Sequence, residues 1–221
     1  MTETGTYPQR RYRPPAGACD MLLIRHGASE PAHPDRPFPL KDGHGDPALA
    51  PEGQAQAQQV ASRLGGHAID ALYVTTLRRT HQTAAPLARA LGLIPAVEPD
   101  LREVCLGEWD AGIYRKMVAD NHPVIQRMHE TQDWGVIPGA ESAAIFGARV
   151  RAGIERIAGR HGGQTVAVVA HGGTIAMALA LAAGAGAFTF TGADNGSISR
   201  LVIADGRWII RGFNDCAHLD G

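Results

Sequence analysis

Two apolar runs in this 221-residue chain end in histidine followed by glycine. MLLIRHG (21–27) sets Arg25, His26 and Gly27 in a row, and VAVVAHGG (166–173) sets His171 before Gly172 and Gly173. Each run is short, unbroken and without helical spacing, which predicts a strand buried on both faces. In a parallel sheet both histidines would project into one crevice beyond the carboxyl ends of the strands. A glycine beside each lets a ligand approach the backbone closely. Each histidine also precedes an expected helix, whose free amides and dipole favour an anion. TTLRRTHQTA (75–84) has the same form and brings Arg78 and Arg79 to a helix start. LREVCLGEWDAG (101–112) supplies Glu103 after a further expected strand.

Two histidines, two or three arginines and one carboxylate around one cavity suit attack on a phosphate monoester. A neutral imidazole is a competent nucleophile, and phosphorylating it divides one hard hydrolysis into two easier steps. The ester dianion repels nucleophiles until cations neutralise its oxygens, and arginine does this with a planar head carrying several donors. The leaving alkoxide is strongly basic and needs a proton. A carboxyl can supply it and then activate water. Arginines and a second histidine can carry the charge, so the set calls for no metal and no cofactor.

The elements that would position these groups alternate along the chain. Pro51 to Leu64 reads as a helix, with Ala57, Val60, Ala61 and Leu64 at helical spacing and Gly65-Gly66 as its stop. IDALYVT (69–75) reads as a strand. Arg79 to Leu91 reads as a helix ended by Gly92, in which Pro86 must kink the chain or lie near the start. A short strand is expected near Ala96–Glu98. Helical pieces interrupted by Pro123 fill 112–138. Glu141 to Arg160 reads as a helix with Ile145, Val150, Ile154 and Ile157 inward. QTVAVVAH (164–171) is the most apolar strand and the expected centre of the sheet. Thr174 to Ala183 is a nearly all-apolar helix that must be covered, and ISRLVIADG with RWIIRGF reads as a closing hairpin around Asp205-Gly206. The alternation predicts a three-layer α/β/α sandwich with a mainly parallel central sheet.

The expected organisation is a disordered N-terminal arm over 1–20 and a single catalytic domain over 21–221. The formal net charge is −1 and 44% of residues are hydrophobic, so no global electrostatic case exists for nucleic acid or an anionic membrane. No apolar run is long enough to span a bilayer, and the first residues lack the apolar middle of a signal peptide. Three cysteines, Cys19, Cys105 and Cys216, without CxxC spacing argue against a disulfide scaffold or a zinc knuckle. A cytoplasmic protein is the expectation. The oligomeric state stays open, a homodimer included.

Six segments, in order, resemble the histidine phosphatase superfamily, which includes the cofactor-dependent phosphoglycerate mutases and related phosphatases. RHG at 25–27 matches the family's signature. LAPEGQAQA (49–57) is similar to L-T-x-x-G-x-x-Q-A, LRRTHQTA (77–84) to L-x-R-A-x-Q-T-A, and LREVCLGEWDAG to L-x-E-x-x-x-G-x-W-E-G. PGAES (138–142) resembles P-G-G-E-S, and VVAHGG (168–173) resembles the second histidine motif. The resemblance runs from about Met21 to about Leu201. It implies a three-layer sandwich, a nucleophilic His26 that becomes phosphohistidine, Glu103 as proton donor, and Arg25, Arg79 and His171 holding the phosphoryl group beside Gly172. Alignment to Gln82-Thr83 selects Arg79 over Arg78. The sequence departs from the pattern in three places: Pro31-Ala32 stands where a Trp-Asn pair is common, Asp110-Ala111 replaces Glu-Gly, and Ala50 replaces Thr.

The combined expectation is a metal-independent phosphatase acting on a small-molecule phosphate ester. The alternatives are a phosphoglycerate-type mutase on the same site and a non-catalytic phospholigand-binding module. The short stretch from Glu103 to His171 favours hydrolysis, and retention of the acid disfavours mere binding. Other candidate residues have structural readings. His33, Asp35, Asp42, His44 and Asp46 match no metal-ligand spacing and read as a solvated loop. Trp109 and Trp134 suit either the pocket or the core. Glu141 reads as a helix-start carboxylate. Cys105 is expected on the same side of a strand as Glu103.

Overall fold

The computed structural model describes residues 7–220. Eight strands and six helices follow one another in the order β1 (Cys19–Arg25), β2 (Leu40–Lys41), β3 (His44–Gly45), α1 (Pro51–Leu64), β4 (Ala71–Val74), α2 (Arg78–Leu91), β5 (Ala96–Val97), α3 (Ile113–Ala119), α4 (Pro123–Thr131), α5 (Ala143–Arg160), β6 (Thr165–Ala170), α6 (Gly172–Ala183), β7 (Ile198–Ala204) and β8 (Arg207–Asp215). Six strands form one sheet in the order β5-β4-β6-β1-β7-β8; β2 and β3 form a separate hairpin. The first four strands of that order are parallel; β7 runs antiparallel to β1, and β8 antiparallel to β7.

The unbroken apolar runs are explained by helices on both faces. Along β6, Val166, Val168 and Ala170 face the core beneath α5 and α6, where Phe146, Val150, Ile154, Ile157 and Ile175 meet them. Ala167 and Val169 face the other side and pack with Val60 and Leu64 of α1 and Leu87 of α2. Period-two alternation with apolar side chains at every position is what a doubly covered strand requires. The layers are helix, sheet, helix, as the sequence predicts. Helix α6 is buried from Thr174 to Ala180, which accounts for its lack of a polar face.

β1 and β6 pair in register from Asp20 with Thr165 to Arg25 with Ala170. His26 and His171 therefore leave the sheet side by side, and the His26 amide still donates to the Ala170 carbonyl at 3.0 Å.

Several expectations need correction. β1 starts at Cys19, inside the segment assigned to a disordered arm, because Cys19 and Asp20 pair with Ile203 and Val202. Residues 1–6 of that arm lie outside the described residues. Tyr12 packs under the Arg211 guanidinium, 3.8 Å from its ring centroid. Glu103 and Cys105 lie on no strand: 102–106 is irregular chain between 3-10 turns at Pro99–Leu101 and Gly107–Trp109. Helix α5 begins after Glu141, capped by the Ser142 hydroxyl, which accepts from the Ile145 amide. Ile145 is 62% exposed, since the face of α5 turned to the core runs through Phe146, Val150, Ile154 and Ile157 and leaves Ile145 outside it. Pro123 begins α4 rather than breaking it, where its missing amide costs nothing. Pro86 stands inside α2, which runs through it.

Candidate active site

At the carboxyl ends of β1, β4 and β6 lies a cavity of about 420 Å³. Arg25, His26, Arg79, Glu103, Gly172 and Gly173 all line it, with Trp109 and Trp134 on its walls. His171 stands behind His26, ring centroids 5.2 Å apart and edge-on. The sequence-derived candidates thus converge.

The loop carrying His26 is held by backbone contact. A Cβ on Gly27 would fall within the carbonyl of Gly53, and a Cβ on Gly53 would fall within the carbonyl of Ala28. Two glycines are therefore needed for α1 to press its first turn against the RHG loop. Three side chains of the neighbouring helices then take up free amides. Thr83 Oγ1 accepts from the Gly27 amide at 3.0 Å, Gln56 Oε1 from Ala28 at 2.8 Å, and Gln82 Oε1 from Leu49 at 2.8 Å. These bonds explain the G-x-x-Q and Q-T segments physically: they fix the loop and do not touch the cavity.

His26 is buried. Its Nδ1 lies 2.7 Å from the Gly27 carbonyl, which requires a proton on Nδ1, and its Nε2 accepts from Arg79 Nε at 3.1 Å. The lone pair is thereby assigned to Nε2, facing the cavity. Burial, with the Arg79 and Arg25 charges behind it, holds the imidazole well below its ordinary pKa, so it is neutral at neutral pH. His171 is treated alike by burial and by Arg79; its Nε2 lies 2.9 Å from Thr75 Oγ1, and its Nδ1 has no partner. Burial also lowers Arg79 to about 10, which leaves it charged. Arg79 Nη1 donates to the Gly45 carbonyl at 2.8 Å, and Arg25 Nη1 donates to the Ala193 carbonyl. Arg78 points elsewhere, to Asp46 at 3.1 Å.

Glu103 faces this cationic wall. Its Oε1 accepts from the Val104 amide at 3.0 Å and its Oε2 from the Gly173 amide at 3.1 Å. A Cβ at position 173 would lie 2.5 Å from Oε1, so Gly173 makes room for the carboxylate. Its irregular segment is held by a residue the sequence reading missed. Arg149 of α5 donates to the carbonyls of Asp100, Arg102 and Glu103 and binds both oxygens of Glu141 at 2.7 Å. Glu141 in turn accepts from the Cys105 amide at 2.7 Å. Burial raises the Glu141 pKa, but its bonds to Arg149 and Cys105 outweigh that and leave it below the ordinary carboxylate value. Glu141 therefore acts as a clamp on the 100–105 segment. Neither Arg149 nor this clamp has a local signal in the sequence, because an arginine in an amphipathic helix ordinarily faces water.

Arg115 also lines the cavity mouth and was not singled out by the sequence. It donates to the Glu30 carbonyl at 2.8 Å and to Ser29 Oγ at 2.7 Å, with its head over the Phe38 ring. Among the described residues, no group of three or more His, Cys, Asp or Glu side chains is arranged to hold a metal ion, and no helix is long and apolar enough to cross a membrane.

Comparison with known proteins agrees with this arrangement. The model of the histidine phosphatase superfamily (branch 1) matches residues 21–216. Phosphoserine phosphatase 1 of Hydrogenobacter thermophilus is 31% identical over 204 residues, 90% of this chain and 93% of that protein. A probable phosphoglycerate mutase of Yersinia enterocolitica is 29% identical, over 90% of this chain and 94% of that one. Among solved structures, a mycobacterial glucosyl-3-phosphoglycerate phosphatase superposes with a TM-score of 0.74 at 27% identity, covering 89% of this chain and 99% of that one. The buried histidine pair, the arginines around it and the match over nearly the whole chain agree, and the protein belongs to the histidine phosphatase superfamily.

Proposed function

We propose that the protein is a metal-independent phosphomonoester phosphatase working through a phosphohistidine on His26, within a single catalytic domain whose first strand starts at Cys19. The observation that carries the reading is the state of His26: a buried, neutral imidazole whose Nδ1 is fixed by Gly27 and whose Nε2 lone pair faces a cavity lined by Arg25 and Arg79. The ester dianion takes the Arg79 N–H onto a phosphoryl oxygen, which frees Nε2. Nε2 then forms a bond to phosphorus as the P–O bond to the leaving group breaks. Arg25, Arg79 and His171, beside Gly172, hold the phosphoryl oxygens, and Glu103 delivers a proton to the leaving oxygen. In the second step water attacks phosphorus, its proton passes to Glu103, and the P–N bond breaks to return neutral His26 and inorganic phosphate.

The similarity to phosphatases and the short Glu103–His171 stretch support water over a second phosphate ester as the acceptor. Brief reaction with a phosphorus-labelled ester, in the presence of a chelator, should trap an acid-labile, base-stable phosphoenzyme and release labelled phosphate. His26→Ala should give neither. Label on another residue type, or a rate that requires added metal, would overturn the reading, and label passing to added phosphoglycerate would make the protein a mutase.

A further inference from the structure

The loop between the RHG motif and α1 places a third histidine in the cavity wall. Leu40–Lys41 and His44–Gly45 form a two-stranded hairpin whose turn, Asp42-Gly43, has φ of 49° and 81°, the left-handed pair that a tight hairpin turn demands. Leu40, Lys41, Asp42 and Gly43 are exposed, whereas His44 is only 7% exposed and lines the cavity.

The hairpin is bolted to the site by its neighbours. The Gly45 carbonyl accepts from Arg79 Nη1 at 2.8 Å, and the same guanidinium holds His26 Nε2. The Gly45 amide donates to Asp110 Oδ1 at 2.8 Å. Asp46 accepts from the Arg78 amide at 2.8 Å and from Arg78 Nε, and Asp42 pairs with Arg102 at 3.3 Å. Within this frame His44 Nδ1 lies 3.0 Å from the Asp42 carbonyl, which fixes the proton on Nδ1. Nε2 is left buried with no hydrogen-bond partner. Buried polar atoms in folded proteins are nearly always paired, so an unpartnered atom on a cavity-lining residue is free to bond a ligand or a water that enters there. Of the six other buried, unpartnered side-chain atoms among the described residues, Arg25 Nε and His171 Nδ1 belong to His26's immediate surroundings, while those of Thr76, Arg102, Ser197 and His218 belong to residues that do not line the cavity.

We propose that His44 is a third substrate-contacting histidine, whose Nε2 takes up a proton from solvent as the phosphate ester enters and, keeping that proton, hydrogen-bonds a phosphoryl oxygen. The proposal rests on the phosphatase reading of the cavity. The hairpin's bonds bring Arg79, Arg78, Arg102, Asp42, Asp46 and Asp110 around His44, Glu141 and His171 lie near it, and Arg25, Arg115 and Glu103 share its cavity. An arriving dianion shifts that balance toward an imidazolium. The contact is independent of Glu103: the acid serves the leaving oxygen, while His44 serves an oxygen that stays on phosphorus in both steps.

The test uses the full chain with nitrogen-labelled histidine rings, the His44 signals being assigned by their loss in His44→Phe. Inorganic phosphate, or orthovanadate in its place, should move His44 Nε2 from the shift of a bare lone-pair nitrogen to that of a protonated one. His44→Phe keeps a ring but no donor and should raise the inhibition constant for phosphate about tenfold or more, as expected for one charged hydrogen bond. His44→Gln, with an amide donor near the same point, should recover much of that loss. Phosphate that binds while His44 Nε2 stays bare, or Phe and Gln variants that bind it equally, would overturn this inference and leave the phosphatase reading standing. A wild-type protein that neither binds phosphate nor turns over esters would overturn both.

Discussion

The two halves of the cavity are built by different physics. The half that carries His26, Arg25 and His171 hangs from adjacent parallel strands, in register from Asp20 with Thr165 to Arg25 with Ala170. It is closed from behind by backbone packing of Gly27 on Gly53. The half that carries Glu103 and His44 has no ladder of its own beyond a two-residue hairpin. It is irregular chain tied down by side chains: Arg149 and Glu141 hold the 100–105 segment, and Asp110 and Arg79 hold the hairpin. The sheet half spreads its stability over many shared contacts. The loop half concentrates it in a few charged bonds, so single substitutions there should change chemistry without unfolding the protein.

The largest expected effect is on the loop half and on chemistry alone. Glu103→Gln keeps the shape but delivers no proton at neutral pH, and general acid catalysis is typically worth about 10²–10⁴-fold. Pre-steady-state phosphorylation of His26 should slow by that range for an alkyl phosphate, whose leaving alkoxide needs a proton. It should slow far less for a nitrophenyl phosphate. Equal losses for the two esters would remove Glu103 from the role of leaving-group acid.

The sheet half should fail by steric collapse. Alanine has better helix propensity than glycine, and Gly53 lies in the first turn of α1, so local reasoning predicts that Gly53→Ala stabilises. The Ala28 carbonyl leaves no room for the methyl group, and overpacking against backbone should cost about 3 kcal/mol. Gly159→Ala in α5 is the control, since nothing lies within 4 Å of a Cβ there, and it should gain up to about 1 kcal/mol. Urea midpoints for the two variants should therefore move in opposite directions, and a shared direction would break the comparison.

Arg149→Met tests the clamp. It removes the donors to Glu141 and to three carbonyls while keeping the packed stem. With each bond to a charged group worth about 1.5–3 kcal/mol, alkyl-ester phosphorylation should fall about ten- to a hundredfold. Phosphate binding, proposed above to rest on Arg25, Arg79, His171 and His44, should change less than about threefold. Phosphate affinity falling in step with phosphorylation would mean that the halves are not separately supported.

The same division explains what the sequence made legible. Doubly buried strands leave a periodic signature, so β1 and β6, and with them His26 and His171, were readable from the pattern, as were α1 and the Asp205-Gly206 hairpin. The irregular segment leaves none. Glu103 was placed at a strand end although 102–106 forms no strand. Ile145 was placed inward from its spacing, yet the buried stripe runs through its neighbour Phe146 to Val150 and Ile154, one position round the helix. His44 lay among loop polar residues that read as solvated. Its burial follows from Gly45 and Asp46 bonding to Asp110, Arg79 and Arg78, residues distant in the chain. Periodicity records burial against a layer; it carries no trace of a single bond that folds a loop inward.

The smallest expected effect separates the halves by pH. Burial first, and then the charge of Arg79, depresses the pKa of both His26 and His171 well below the ordinary value of about 6.5. Below that value the unfolded chain binds protons that the folded one refuses, so stability falls as pH falls, by up to about 1.4 kcal/mol per unit for each histidine. On the loop side the sign is the same but the window is lower. The depressed pKa of Glu141 gives stabilisation that is present above its ordinary carboxylate value and is lost as pH falls through the lowered one. Between about pH 6 and pH 5, then, the sheet half alone should weaken the protein. Urea unfolding of wild type, His171→Asn and Glu141→Gln across that interval reads this out. His171→Asn should flatten the slope by up to about 1.4 kcal/mol per unit, while Glu141→Gln, whatever its cost at neutral pH, should run parallel to wild type until the pH drops below about 4.5. A His171→Asn line parallel to wild type would mean that His171 accepts a proton inside the fold, and the buried pair could not then be the neutral, poised couple on which the sheet half depends.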